Sequence, residues 1–302
     1  MTVIEVHDLT RRYGRVEALH GVDLRIAHGE RVAVLGPNGA GKTTLMKILD
    51  GSAGPSAGEV RVLGRDPVAA GHAVRQRIGV VAQQTTTDPD ATVEDAVSQR
   101  AARYPHPRCT DEVLELVGLT GRAGHRVGTL SAGELRGLDL ALAVVGRPRL
   151  LLLDEPTTGC DPVARHRAWH LIRSVAAPDT TVVLTTRCPH EAEALADRVV
   201  VMTRGAVVAD EDPRRLAERN REVVIRFRLP ERLDGAVLPV PAVRRNGHFE
   251  ARTTTPTRDV AMLCAWALDR RIELPAVQMV PRSLHAAYRR LIGETGYGED
   301  AW

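Results

Sequence analysis

A chain of 302 residues is long enough for one large domain and one small one, each burying most of its apolar surface without help from an oligomer or a metal. A hydrophobic fraction of 43% and a charged fraction of 26% are those of an ordinary soluble globular protein and argue against a disordered or membrane-embedded chain. A net charge of +3, with arginine interleaved among carboxylates, implies no nucleic-acid partner; even the dense stretch Arg214 to Arg232 contains Glu218, Glu222 and Glu231 and reads as a solvated face.

The four cysteines, Cys109, Cys160, Cys188 and Cys264, are widely separated and form neither a CxxC pair nor a metal-ligand pattern, so a reduced cytosolic setting is expected. The opening Met-Thr-Val-Ile-Glu-Val lacks the basic-then-apolar texture of a signal peptide. Apolar runs such as Leu150 to Leu153 end in charge, far short of the roughly 20 residues of a spanning helix.

From the N-terminus to about Asp210, short β-branched runs alternate with helical patterns, as expected of a parallel sheet covered by helices. Strands are predicted at Arg31 to Leu35, Ile78 to Ala82, Leu150 to Leu153, Thr181 to Thr185 and Arg198 to Met202. Helices are predicted near Lys42 to Leu49, Val93 to Ala102, Asp111 to Val117, Ala132 to Val145 and Pro162 to Val175. After the polar segment Glu211 to Asn220 the texture changes. Val223, Ile225, Phe227 and Leu229 alternate with Arg226 and Arg228 as in a half-buried strand, and Asn246-Gly247 suits a tight hairpin turn. A helix near Thr257 to Arg271, a strand near Leu274 to Val280 and a final helix carrying Leu284, Tyr288, Leu291 and Ile292 on one stripe complete a small α+β domain. The division expected is 1–218 for the α/β domain, with a helical subdomain at about 85–145, and 219–302 for the accessory domain.

Gly36-Pro-Asn38-Gly39-Ala-Gly41-Lys42-Thr43-Thr44 matches GxxxxGK[ST], follows an apolar strand and opens a helix, which is the context that separates a phosphate loop from a chance match. Glycines 36, 39 and 41 let several N–H groups point inward, and the helix N-terminus adds its partial positive charge. Lys42 then reaches the β- and γ-phosphates of ATP, the Thr43 hydroxyl ligates Mg²⁺ and Thr44 bonds the α-phosphate. Downstream, Leu150-Leu-Leu-Leu-Asp154-Glu155 is an apolar strand ending in two carboxylates at the edge where open α/β sheets bind ligands. Asp154 is suited to hold Mg²⁺ through water and Glu155 to polarise the attacking water.

With these residues in hand, the chain resembles the nucleotide-binding subunits of ATP-binding-cassette (ABC) transporters over about residues 3 to 210. The most diagnostic element is Leu130-Ser131-Ala-Gly133-Glu134, similar to the family's LSGGQ signature. Ser131 is a good N-cap for the helix that follows, so its hydroxyl, the Gly133 amide and the helix dipole make an anion site. The resemblance implies that this site meets the γ-phosphate held by the opposite subunit, two subunits closing head to tail over two ATP molecules. Tyr13 stands where the family stacks a ring on adenine, a core role being the alternative. Gln83 stands where the family couples Mg²⁺ and water to the membrane partner, with Gln84 offering a second register. Thr157-Thr-Gly-Cys-Asp161 resembles the D-loop.

One position departs from the family pattern. Where relatives carry a histidine against the γ-phosphate, this chain reads Leu184-Thr-Thr-Arg187. Arginine keeps a positive charge and a phosphate-gripping fork but cannot shuttle a proton near neutral pH, so the expectation is hydrolysis that is retained but slow. His190, three residues on, fits a surface or capping role. Cys160 and Cys188 read as buried, inert thiols.

Asp88-Pro-Asp90, Thr92-Val-Glu94 and the Arg136-Gly-Leu-Asp-Leu-Ala run resemble the drug- and polysaccharide-exporting subclass, and the C-terminal Pro281-Arg-Ser-Leu-His-Ala-Ala-Tyr288 resembles its appendage. The expectation is a homodimeric ATPase on the inner face of the plasma membrane, driving export through a separate integral-membrane permease. The alternative is an ATP-dependent regulatory or self-protection switch that transports nothing.

Overall fold

The computed structural model of the chain describes residues 1–83, 86–176, 179–219, 223–230, 237–245, 247–280 and 283–293. Gln84, Asn246, Pro281 and Arg282, which figured in the expectations above, lie outside them. Two compact units emerge, one of Met1–Pro213 with the stretch from Leu291, the other of Arg214–Arg290.

The first unit begins with β1 (Thr2–Tyr13), β2 (Val16–Ala27), β3 (Arg31–Leu35), α1 (Lys42–Leu49), β4 (Ala57–Val62), α2 (His72–Arg75) and β5 (Ile78–Val81). The helical stretch follows with α3 (Val93–Ala101), α4 (Thr110–Leu116) and α5 (Ala132–Val144). It closes with β6 (Leu150–Asp154), α6 (Pro162–Val175), β7 (Thr181–Thr186), α7 (Pro189–Leu195), β8 (Arg198–Thr203) and β9 (Ala206–Glu211).

Six of these strands form one sheet in the order β5-β6-β7-β3-β8-β9, parallel except for the antiparallel edge strand β9. All five residues of β6 and all six of β7 are buried, the continuous run expected where helices cover both faces. β1, β2 and β4 form a second, antiparallel sheet in the order β2-β1-β4, which the strand predictions above did not contain. α1 packs against β6 of the first sheet and against β2 and β4 of the second. Leu45, Ile48 and Leu49 are fully buried in the shared core, each stabilising by about 1.5–3 kcal/mol, so the helix behind the phosphate loop is anchored from both sides.

The register levels the strand ends: Val81 pairs with Leu153, Asp154 with Thr185, and Leu35 with Thr186. Consequently the segments that follow β5, β6, β7 and β3, which carry Gln83, Glu155, Arg187 and the phosphate loop, leave one edge of the sheet side by side.

α8 (Pro213–Glu218) leads into the second unit, which holds β10 (Val223–Phe227), β11 (Val243–Arg245), β12 (His248–Thr253), α9 (Pro256–Asp269), β13 (Gln278–Val280) and α10 (Leu284–Leu291). The sheet order is β11-β12-β10-β13, all neighbours antiparallel. Ile225 and Phe227 face a small core with Ala251, Val240 and Leu263 of α9, and Phe227 stacks on Phe249 with ring centroids 5.7 Å apart. The strand expected at Leu274 to Val280 is only Gln278–Val280, because Ala276 after Pro275 takes a left-handed φ of 58° and turns the chain.

Candidate nucleotide site

The phosphate loop is shaped by close backbone approaches. A Cβ on Gly36 would stand 2.4 Å from the Met202 carbonyl oxygen, and one on Gly41, whose φ is 96°, would stand 2.6 Å from that of Ala18. Only glycine fits at either position. Gly41 is also the N-cap of α1, so the amides of Lys42, Thr43 and Thr44 begin the helix without acceptors of their own and Thr43 and Thr44 lie half-buried in its first turn. Asn38 and Gly39 are exposed at the tip of the loop.

The Lys42 side chain is almost wholly buried. Its Nζ donates to the carbonyl oxygens of Gly36 (2.8 Å) and Pro37 (3.0 Å) and lies 3.4 Å from Oε1 of Glu155. Burial pushes the ammonium pKa down, and the Glu155 carboxylate opposes that shift. Three donors thus meet three oxygens, an arrangement that anionic phosphate oxygens can take over one for one.

Glu155 stands just beyond β6 with a left-handed φ of 47°, a conformation that costs a residue with a Cβ about 1–2 kcal/mol. Thr185 on the neighbouring strand holds it there. Its Oγ1 donates to Oδ1 of Asp154 and accepts the Glu155 N–H at 3.0 Å, so one fully buried hydroxyl holds the Asp154 carboxylate and the Glu155 backbone. The Oε2 of Glu155 accepts from Thr158 at 2.9 Å and lies 3.5 Å from Nε of Arg187, which is about half exposed. The catalytic candidate therefore bridges two cations, Lys42 on one oxygen and Arg187 on the other. The sequence pointed to both carboxylates and to Arg187 but not to Thr185 or Thr158; a hydroxyl in the apolar run Val182-Val-Leu-Thr185 was the available signal, since a buried hydroxyl needs partners.

Behind this edge, Glu191 of α7 is buried and accepts from Thr157 (2.6 Å) and from the Trp169 indole on α6 (3.0 Å). Asp161 caps α6, accepting the amides of Val163 (2.8 Å) and Ala164 (2.9 Å). Cys160 and Cys188, expected to be buried, are only half-buried; partial burial pushes both thiols up, which favours the protonated form. His190 lies 3.5 Å from Glu193 within α7 and its side chain is 53% exposed, in keeping with a surface role.

Ser131 caps α5 in a reciprocal capping box: its Oγ accepts the Glu134 amide at 3.3 Å while its own N–H donates to Oε2 of Glu134 at 2.9 Å. A Cβ on Gly133 would meet nothing within 4 Å among the described residues, so packing there does not demand a glycine. Tyr13 ends β1 with its ring 45% exposed and the Arg11 guanidinium 4.7 Å from its centroid, a cation–π contact. Gln83 is exposed two residues past β5, next to Ala82, whose carbonyl accepts from Arg136 at 3.1 Å. The structure thus joins Lys42, Asp154, Glu155 and Arg187 through Glu155 and Thr185, whereas Tyr13, Gln83, Ser131 and Gly133 make none of those contacts.

For Mg²⁺, the donor set fits. Thr43 contributes a hydroxyl and Asp154 a carboxylate with one oxygen engaged by Thr185, a pair suited to an ion that keeps most of its waters and takes the rest of its shell from phosphate.

Comparison with known proteins gives the family. Residues 19–158 match the ABC transporter family, and residues 223–283 match the C-terminal domain of ABC transporter domain-containing protein-like chains. The daunorubicin resistance ATP-binding protein DrrA3 of Streptomyces coeruleorubidus is 41% identical over 215 residues, covering 69% of this chain and 68% of that protein. The Nod factor export ATP-binding protein I of Burkholderia orbicola is 41% identical over 225 residues, covering 71% and 72% respectively. Among solved structures, an ATP-binding subunit of an ABC transporter superposes with a TM-score of 0.65 at 25% identity over 72% of this chain and 93% of that one. A dimeric bacterial ABC transporter cassette gives 0.61 at 26% identity over 69% and 98%. With its phosphate loop, paired carboxylates and signature helix in place, this chain belongs to the ABC transporter family as an ATP-binding protein.

Proposed function

We propose that this chain is the ATP-hydrolysing subunit of an exporter, driving a small molecule such as a drug or antibiotic through a separate integral-membrane permease. What carries the proposal is the convergence of Lys42, Asp154, Glu155 and Arg187 on one sheet edge in a chain similar to proteins named for daunorubicin resistance and Nod factor export. No helix among the described residues is long and apolar enough to cross a membrane, so in this reading the chain reaches the inner face of the plasma membrane through the permease. Residues 1–218 serve as the ATPase domain and 219–302 as an accessory domain.

The chemistry follows from the charges. The γ-phosphate brings oxygens that draw Lys42 and Arg187 away from Glu155, and the released carboxylate, its backbone held by Thr185 and its Oε2 by Thr158, accepts a proton from the attacking water. Bound Mg²⁺, held by Thr43, Asp154 and Gln83, would supply charge neutralisation of the phosphates. Tyr13 stacks on the adenine. Ser131 and Gly133 of a second subunit complete the site from across a head-to-tail homodimer, which is the reading under which the open space at Gly133 has a use.

The test is purification of the tagged full chain from native membranes, identification of a polytopic partner, and ATP-driven uptake in inverted vesicles that hold both. Uptake lost in Glu155→Gln is the expected result. A chain that hydrolyses ATP but co-purifies with no polytopic protein is instead the regulatory or self-protection switch.

A further inference from the structure

The signature helix of this chain ends its Leu-Ser-Ala-Gly motif in Glu134, where the family's LSGGQ pattern has glutamine. The change adds a full negative charge to a turn that is meant to receive an anion. The carboxylate lies directly on the receiving groups: Oε2 accepts from both the Ser131 hydroxyl (2.8 Å) and the Ser131 N–H (2.9 Å). A serine hydroxyl has one proton to donate, so while Glu134 holds it Ser131 cannot also donate it to a phosphate. The other carboxylate oxygen is held by Nε of Arg122 at 2.8 Å, from the short helical turn Thr120–Arg122 upstream of the signature. These contacts hold Glu134 far below the usual carboxylate range, at about 2, so the charge is permanent at any physiological pH.

We infer that Arg122 and Glu134 form a charge latch over Ser131 that sets how readily the signature accepts the γ-phosphate held by the opposite subunit. Arg122 balances the carboxylate that would otherwise repel the phosphate, and its guanidinium draws Glu134 off the serine as the phosphate arrives. Arg122 is therefore a positioning residue of the composite site, acting through Glu134. The inference rests on the head-to-tail reading above.

The experiment measures ATP-driven dimerisation of the full chain by sedimentation in a Glu155→Gln background, which stops turnover. Glu134→Gln keeps a side chain able to complete the capping box and removes only the charge; it should lower the ATP needed for half-dimerisation by about fivefold, the upper end for a partly exposed charge pair. Arg122→Ala should raise it by about fivefold, and Arg122→Lys by less. Adding Glu134→Gln to Arg122→Ala should abolish the Arg122 defect, a rescue that mere damage to the fold would not show. Nucleotide binding to dilute, monomeric chain should be the same in all variants. The latch is refuted if Glu134→Gln weakens dimerisation, if Arg122→Ala leaves it unchanged, or if the double variant is no better than Arg122→Ala. A Glu155→Gln parent that stays monomeric at saturating ATP removes the composite site itself, and the latch with it.

Discussion

The two regions proposed to receive phosphate are built on opposite plans. Around Lys42 and Glu155 the charged groups are buried, face one another and are held by a fully buried threonine. Around Ser131 and Glu134 they are exposed or only half-buried, and the capping serine is engaged by a carboxylate of its own helix. In the proposed reading both regions exchange partners when phosphate arrives: Lys42 and Arg187 leave buried Glu155, and Ser131 must be freed from Glu134, which would give a dimer a second point of control.

The largest effect that could break this contrast is at Glu155. If it is the base of a preorganised site, Glu155→Gln should lower ATPase turnover by about 10²–10⁴-fold in a steady-state phosphate-release assay. Wild-type turnover no higher than that of the variant would mean that this chain binds ATP without hydrolysing it.

Next in size is Arg187. Arg187→His restores a group that can relay a proton, and kcat should rise by up to about 10²-fold while KM changes little. A fall in kcat would identify Arg187 as the γ-phosphate sensor that hydrolysis here depends on.

Thr185→Val sharpens the comparison from the structural side. The buried Asp154 loses its hydroxyl donor and the Glu155 amide loses an acceptor, a cost of about 1–3 kcal/mol read as a fall in the thermal midpoint together with a drop in kcat. Loss of stability with kcat unchanged would reduce Thr185 to a core residue.

The smallest expected effect is a flat pH response at the signature. Glu134 is depressed from 4.5 to about 2, so whatever stability its contacts give is complete above the higher value and lost only as pH falls through the lower. ATP-driven dimerisation should show no step from Glu134 between about pH 5 and about pH 8. A step in that window that disappears in Glu134→Gln would contradict the hydrogen bonds assigned to it.

Much of the site was legible because phosphate binding needs unusual backbone. Gly36 and Gly41 cannot carry a Cβ, so the loop writes itself into the sequence as glycines, and Asp154-Glu155 is conspicuous because charge interrupts four leucines. The pairing of Arg187 with Glu155 was not legible, since it joins, through space, residues that follow two different strands. The antiparallel sheet escaped for a different reason. The buried residues of β1, Val3, Ile4, Val6 and Leu9, break the period of two, because irregularities in the ladder shift its register and Asp8 turns through a φ of 48°. In the second unit, alternation along Val223 to Phe227 was clean and the strand was found where expected, whereas Pro275-Ala276 cut short a strand that hydrophobicity alone extended.

Glu191 makes the segments on either side of it move together. Its single buried carboxylate accepts from Thr157, two residues past Glu155, and from Trp169 on α6, while its own helix starts two residues after Arg187. Two segments far apart in sequence thereby share one buried carboxylate. The segment after β6, helix α6 and the start of α7 are thus cross-linked by one buried side chain, so none of the three can shift far without breaking a hydrogen bond to Glu191.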